Sequence, residues 1–553
     1  MKVLRPENQT KKYDALFTDI DEGRVKIPKF QRSFVWEKDQ SAKLIDSLIK
    51  GFPIGTFILW QTNEELRNFK NIGNIQLPEA PMGEPVKYVL DGQQRITSLY
   101  AVRKGVIFTV DGKDIDYKDI CINLDDDVDS EEQIVLTEQN KDGRYISVFD
   151  LLNNQITDYI GHYSNEEIKK IDVYKNRLTT YDFSTVLILD YPLDVACEVF
   201  TRINTAGTEL TLFEIMVAKT YDINREFDLA EKYEKLLNSK NNGKDLEDAD
   251  YDTLPAQTIL QCVSACHQGH IQRREILKIK KNDFIDAWEP VVNALFCAVD
   301  WVRSQLRIPV SELLPYNVLL LPITYFFYKN DLHEPNEKQV LLLQQYFWWA
   351  SLTNRFSSSV ETKIDQDLNK VNEILRGESP SYRGEEIQLS FSDLQYMWFS
   401  PGDAKCKAIL CLYSFYNPRR FDNDGLVHVD NSWLRWSNSK NYHHFFPRAY
   451  LRNKGYEDWQ ANSMLNITIV DDTLNKKKIR ARAPKDYMKE YKKNNKKIVD
   501  TMKSHLIDDL DGYGIWSDDY GAFLEQRGSR VLAELEKRLN PGDGINPAKT
   551  TSQ

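Results

Sequence analysis

The chain has no run of apolar residues near the roughly 18 needed to cross a bilayer as a helix, and its N-terminus, MKVLRPENQTKKYDALF, carries no apolar signal core. The expectation is a cytoplasmic protein without a membrane partner. Cysteine is scarce and odd in number, 7 in 553 residues at scattered spacings, which argues for reduced thiols rather than a disulfide framework. Within CVSACHQGH, Cys262, Cys266, His267 and His270 follow no common zinc spacing and sit in a helical context, so they read as core or helix-surface residues. The phosphate-cradling pattern G-x-x-x-x-G-K-[ST] is missing. An excess of positive charge is missing too: the net charge of -11 argues against a chain that coats nucleic acid indiscriminately.

What is present is enough to fold. Hydrophobic residues make up 41% and aromatics 12%, with charges mixed among them, so the expectation is soluble globular units, and the length predicts two to four domains. Short β-rich runs (TFILW, KYVL, GVIFTV, ICINL, TVLILD) alternate with helical or turn segments over residues 1–230. One such helix, DQSAKLIDSLIKG, puts Leu44, Ile45, Leu48 and Ile49 on one stripe and Gly51 at its end. From 231 to 398 strand signals fade and helical spacing dominates, as in KQVLLLQQYFWWASLTNRF. A third part, 399–553, opens with AKCKAILCLYSFY and closes in a tail expected to fray from Pro541. The acidic segment at 124–133, LDDDVDSEEQ, reads as a solvated insertion. The fold class is therefore α+β and multidomain: a mixed α/β N-domain, a helical middle and a smaller C-domain.

Two stretches carry chemistry. In NYHHFFPRAYL, His443 and His444 are adjacent in a chain with only 8 histidines. On a strand, neighbours point to opposite faces, so the two rings have different jobs. Strand-like LNITIV and an acidic helix start, DDTLNKKK, follow, with Asn466 22 residues after His444 and Asn475 9 further on. Residues 475–499 then hold 11 Lys or Arg against 2 acids, either a solvated helix face or a phosphate grip. Strand, loop, strand and helix with His first and Asn last resembles the ββα-metal, or HNH, nuclease motif over about 432–487. The resemblance implies His444 as general base, Asn466 as the residue holding it or the strand geometry around it, and His443 and Asn475 as ligands of a divalent metal. It also implies Lys476, Lys478 and Arg480 as DNA-phosphate contacts. Many family members carry Asp where His443 stands, which leaves the ion open, with Mg²⁺ or Mn²⁺ expected. Packed aromatics with asparagine turns are the structural alternative.

The second stretch, KYVLDGQQRITSLYAV at 87–102, joins a strand to a helix. Asp91 with Gln94 three residues on could simply form a capping box. A glycine at such a turn also opens amides at the positive helix end to an anion, and Arg95 adds a fork for phosphate. With VKIPKFQRSFVW at 25–36 and VFTRINTAGTELTLFEIMVAKTY at 199–221, the pattern resembles the ParB/sulfiredoxin-like N-domain of GmrSD-type modification-dependent restriction enzymes over about 10–225. The resemblance implies a site that binds and hydrolyses a nucleoside triphosphate (GTP, UTP, CTP or ATP) at Gln31, Arg32, Asp91, Gly92, Gln93, Gln94 and Arg95, with Arg202 and Asn204 as further contacts. It implies DNA as partner, modified phage DNA above all, with a homo-oligomer left open. The function expected is a modification-dependent DNA endonuclease; a non-cleaving regulatory protein, a nickase or an RNase are the alternatives.

Overall fold

The structure, a computed structural model, describes residues 5–31, 34–110, 112–129, 132–139, 143–203, 211–238, 244–382, 387, 389–431, 442–470, 479 and 481–540. It is mixed α/β and about half helical, and it divides into two compact units, Met1–Leu229 and Ala230–Gln553. Among the described residues no helix is long and apolar enough to cross a membrane.

The first unit is built on a five-stranded sheet. Its strands are β1 (Glu7–Lys12), β2 (Val25–Lys26), β3 (Phe57–Thr62), β4 (Val86–Asp91) and β5 (Asp182–Leu189), in the order β1-β5-β3-β4-β2. β5 runs parallel to β3 and β2 parallel to β4, while the β1–β5 and β3–β4 pairs are antiparallel. The edge strand β1, ENQTKK, is almost entirely exposed and polar, which blunts it against pairing with other chains. Helices α1 (Tyr13–Asp21), α2 (Lys38–Ile49) and α3 (Gln93–Lys104) share one apolar core with β3 and β4. The stripe expected on α2 is buried at Leu44, Ile45, Leu48 and Ile49, and Gly51 just past its end takes φ 75°.

The start of α3 corrects the capping-box alternative. Gly92, not Asp91, is the N-cap, at φ 88°, with no side-chain cap among the described residues. Asp91 instead ends β4, opposite Ile58, where the β3–β4 register shifts between Ile58 and Leu59. Further along, α4 (Leu193–Ile203) precedes α5 (Leu212–Thr220), which opens on a capping box formed by Thr211 and Glu214.

In the second unit, α6 (Ala256–Gln268), α7 (Lys281–Gln305), α8 (Leu320–Lys329), α9 (Glu337–Leu352) and α10 (Val360–Leu375) pack together. Every residue of α8 from Leu320 to Phe327 is buried, so it is apolar all round and central. Arg355 and Asp367 form a buried ion pair at 2.8 Å, completed by the Tyr346 hydroxyl at 2.9 Å from the carboxylate. The boundary expected at 398 falls inside this unit, where α11 (Ala404–Phe415) packs on α9. A two-stranded ribbon of β6 (Tyr442–His444) and β7 (Ile467–Ile469) follows. With it come the short helices α12 (Arg448–Asn453) and α13 (Asp458–Ala461), then α14 (Pro484–Asn494) and α15 (Tyr520–Leu539).

A Cβ at Gly92 would meet Phe57 Cδ1 at 2.4 Å, and Phe57 is fully buried. Left-handed strain and overpacking together should cost Gly92→Ala about 2 kcal/mol or more. The expected outcome in scanning calorimetry is a lower transition temperature for the first unit and an unmoved second-unit transition.

Candidate functional site

The β6–β7 register sets His443 opposite Thr468 and His444 opposite Ile467, so the imidazoles face opposite sides of the ribbon. His444 is half-buried, and its Nε2 lies 2.8 Å from the Asn462 side-chain oxygen. Burial pushes its pKa down to about 4, with the Asn462 bond opposing and the Arg448 guanidinium adding to the shift. The ring is therefore neutral at pH 7, with a lone pair to accept a proton.

His443 is 2% exposed. Its Nδ1 is 3.2 Å from the Thr468 hydroxyl, which itself donates to the His443 carbonyl at 3.2 Å. A hydroxyl that already donates must accept from Nδ1, so the one accepting lone pair of this neutral ring lies on Nε2. That atom is buried without a partner among the described residues, and the ring sits edge-on to Phe421, Phe445 and Tyr487 at 5.9 to 6.5 Å. Burial holds His443 well below the usual histidine range, with His444 and His505 adding to it. His443 Nε2 is thus one candidate donor, but among the described residues no three His, Cys, Asp or Glu side chains come together. These residues alone do not fit a resident metal. Asn475, the other expected ligand, lies outside the described residues, as do Lys476, Lys478 and Arg480. Further along the basic run, Arg482 pairs with Glu490 at 2.7 Å and Lys485 with Asp518 at 3.0 Å.

Asn466 is fully buried and does not bond the His444 ring. Its side-chain oxygen accepts from Phe446 N at 2.8 Å, and its Nδ2 donates to the Phe446 and Ala461 carbonyls at 2.9 and 2.8 Å. Its own carbonyl accepts from Phe445 N at 2.8 Å. It ties the turn after the histidines to the segment entering β7. Arg527, also fully buried, braces that segment by donating to the Leu465 and Ile467 carbonyls at 2.6 and 2.7 Å. Asn462, Arg448 and Arg527 carry no signal in the sequence as contacts of this ribbon, because they reach it from separate elements.

In the first unit, Arg95 spends its fork on the protein. Nη1 donates to the Ile54 carbonyl at 2.6 Å, and Nη2 to the Thr56 carbonyl at 3.1 Å and the Asp91 carboxylate at 3.0 Å. The guanidinium also lies 5.2 Å from the Phe57 ring centroid. The backbone approaches so closely that a Cβ at Gly55, itself at φ 86°, would be 2.5 Å from Nη1. Buried Gln31 donates to the Val89 carbonyl, and buried Gln94 accepts from Val35 N at 3.0 Å, so the segment around 31–35 is stitched to the β4–α3 turn. Gln93 is buried beside them. Arg202 lies exposed on α4, paired with Glu198 at 2.6 Å; Arg32 and Asn204 fall outside the described residues. What stays distinctive is the glycine N-cap of a 12-residue helix, whose dipole places positive potential at its start.

Residues 13–221 match the family model for the GmrSD restriction endonuclease, N-terminal domain. That similarity takes in Gln31, the Asp91–Arg95 turn and Arg202, and ends well before the histidine pair. The chain is also 26% identical to the Uncharacterized protein MJ0686 of Methanocaldococcus jannaschii, over 94% of this chain and 94% of that protein. At α6, Cys262 and Cys266 are buried, and burial pushes the Cys262 thiol up to about 12, which makes them packing residues.

The buried histidines predict that the second unit is acid-sensitive. Burial pushes His505 down to about 4, as it does His444, although the Arg419 carbonyl holds the His505 ring at 2.7 Å. Between about pH 6.5, where free imidazole titrates, and about 4, the unfolded chain binds protons that the folded one refuses, so stability falls as pH falls through that window. The second-unit melting temperature should drop between pH 7 and 4.5, and His505→Gln should make the slope shallower in calorimetry at stepped pH.

Proposed function

We propose that the protein is a restriction-type endonuclease in which His444 is the general base for phosphodiester hydrolysis. The observation that carries this reading is the neutral His444 ring on the β6–β7 ribbon, held through one nitrogen and braced by the Asn466 clamp. His444 takes a proton from water, the water oxygen bonds to phosphorus, the bond to the leaving sugar oxygen breaks, and that oxygen takes a proton from solvent. Arg448 lies close enough to depress His444 and would neutralise phosphate charge. A divalent metal, Mg²⁺ or Mn²⁺, is implied by the HNH resemblance alone; His443 faces the side of the ribbon away from His444, among Phe421, Phe445 and Tyr487, and the hydrolytic step is assigned without it. DNA as substrate is supported by the similarity of the first unit to the GmrSD restriction endonuclease N-terminal domain.

The finer reading assigns discrimination to the first unit. Contacts to phosphate carry no sequence information, so recognition of modified phage DNA must come from elsewhere, and the α3 N-terminus is the site we assign to a nucleoside triphosphate. Arg95 would act there by holding the 54–56 backbone in place, since its fork is already engaged.

The test is cleavage of modified and unmodified phage DNA by the full chain with Mg²⁺ or Mn²⁺, with and without GTP, UTP, CTP or ATP. His444→Ala should lose about 10² to 10⁴ in rate while its circular dichroism at the assay temperature stays that of the wild type. A wild type that cuts neither DNA under any condition overturns the nuclease reading. Equal cutting of both DNAs with every nucleotide overturns modification sensing alone.

A further inference from the structure

The partner of His444 is an amide, and its surroundings leave that amide one orientation. Asn462 is 5% exposed and closes α13, its N–H donating to the Asp458 carbonyl at 3.0 Å. Its backbone is part of a short antiparallel pairing with the segment before α11: Phe399 N donates to the Asn462 carbonyl at 2.9 Å, Met464 N donates to the Met397 carbonyl at 2.9 Å, and Trp398 bridges Ser463. The neighbouring Ser463 hydroxyl adds a bond to the Gln395 carbonyl at 2.8 Å. The side chain is pinned as well, because Nδ2 donates to the Phe399 carbonyl at 3.0 Å. Turning the amide over would set its oxygen against that carbonyl, two acceptors with no hydrogen between them. The Asn462 oxygen therefore faces His444 and can only accept.

We propose that Asn462 is a positioning residue that fixes the His444 tautomer, with the proton on Nε2 and the basic lone pair on Nδ1. The inference rests on the reading of His444 as a general base and adds which nitrogen performs it. A carbonyl oxygen 2.8 Å from Nε2 requires a hydrogen on that nitrogen, and a neutral imidazole has only one. Nδ1 is thereby the atom that receives the proton from water, and the ring needs no rearrangement at the moment of reaction. A residue acting through another in this way typically contributes a factor of about 10 to 100.

The full chain labelled with ¹⁵N at histidine rings tests this by long-range proton–nitrogen correlation at pH 7.5, His444 being assigned by comparison with His444→Gln. The expected wild-type spectrum has Nε2 at the protonated, pyrrole-type shift and Nδ1 at the lone-pair, pyridine-type shift. Asn462→Leu should move both toward intermediate values and lower kcat on DNA about 10 to 100-fold, with KM little changed. The opposite tautomer in the wild type overturns the proposal, and that measurement decides even if Asn462→Leu does not fold. An unaltered His444 spectrum in folded Asn462→Leu, or cleavage at the wild-type kcat, overturns it as well. A wild type with the expected spectrum that cuts no DNA keeps the tautomer assignment and removes the nuclease reading, so the two failures are told apart.

Discussion

The candidate hydrolytic centre depends on the wholly buried side chain of Asn466, which donates or accepts with every polar atom it has. An asparagine in that position has no alternative in water, and losing any one bond leaves a buried polar group unsatisfied, at a cost of about 1 to 3 kcal/mol. The clamp joins the turn after β6 to the entry of β7. It therefore holds the register in which His443 meets Thr468 and His444 meets Ile467. A slip of one residue would exchange the two imidazoles between the aromatic interior and the half-buried face.

Charge inside the second unit is arranged with the same economy of partners. Arg355 and Asp367 neutralise each other, and the Tyr346 hydroxyl donates to the same carboxylate. Arg527 meets backbone carbonyls and the face of Tyr413 at 4.6 Å rather than a carboxylate. A guanidinium so placed ties α15 to both sides of Asn466 along the chain, so this helix supports the ribbon.

The first unit shows how a motif can look like a ligand site and serve the fold at the same time. In Asp-Gly-Gln-Gln-Arg the arginine fork closes on Ile54, Thr56 and Asp91, and glycines at 55 and 92 let backbone and guanidinium approach. Gln31 and Gln94 hold neighbouring backbone instead of pointing outward. The positive potential that remains at this turn belongs to the helix dipole and to no single side chain.

Local pattern was enough for much of this. The β-rich runs from TFILW to TVLILD contain strands, the α2 stripe is buried, Thr211 caps its helix, and two neighbouring histidines on a strand face opposite ways. Each follows from the backbone periods of helix and strand, which act over a few residues. Tertiary structure decided what those side chains meet. The placement of Asn462 against His444 comes from pairing with a segment 63 residues earlier, the enclosure of His443 from rings on three separate segments, and the engagement of Arg95 from a loop some 40 residues upstream. Which hydrogen-bond partner a polar side chain receives depends on contacts distant in the chain, and spacing along the sequence carries no record of them.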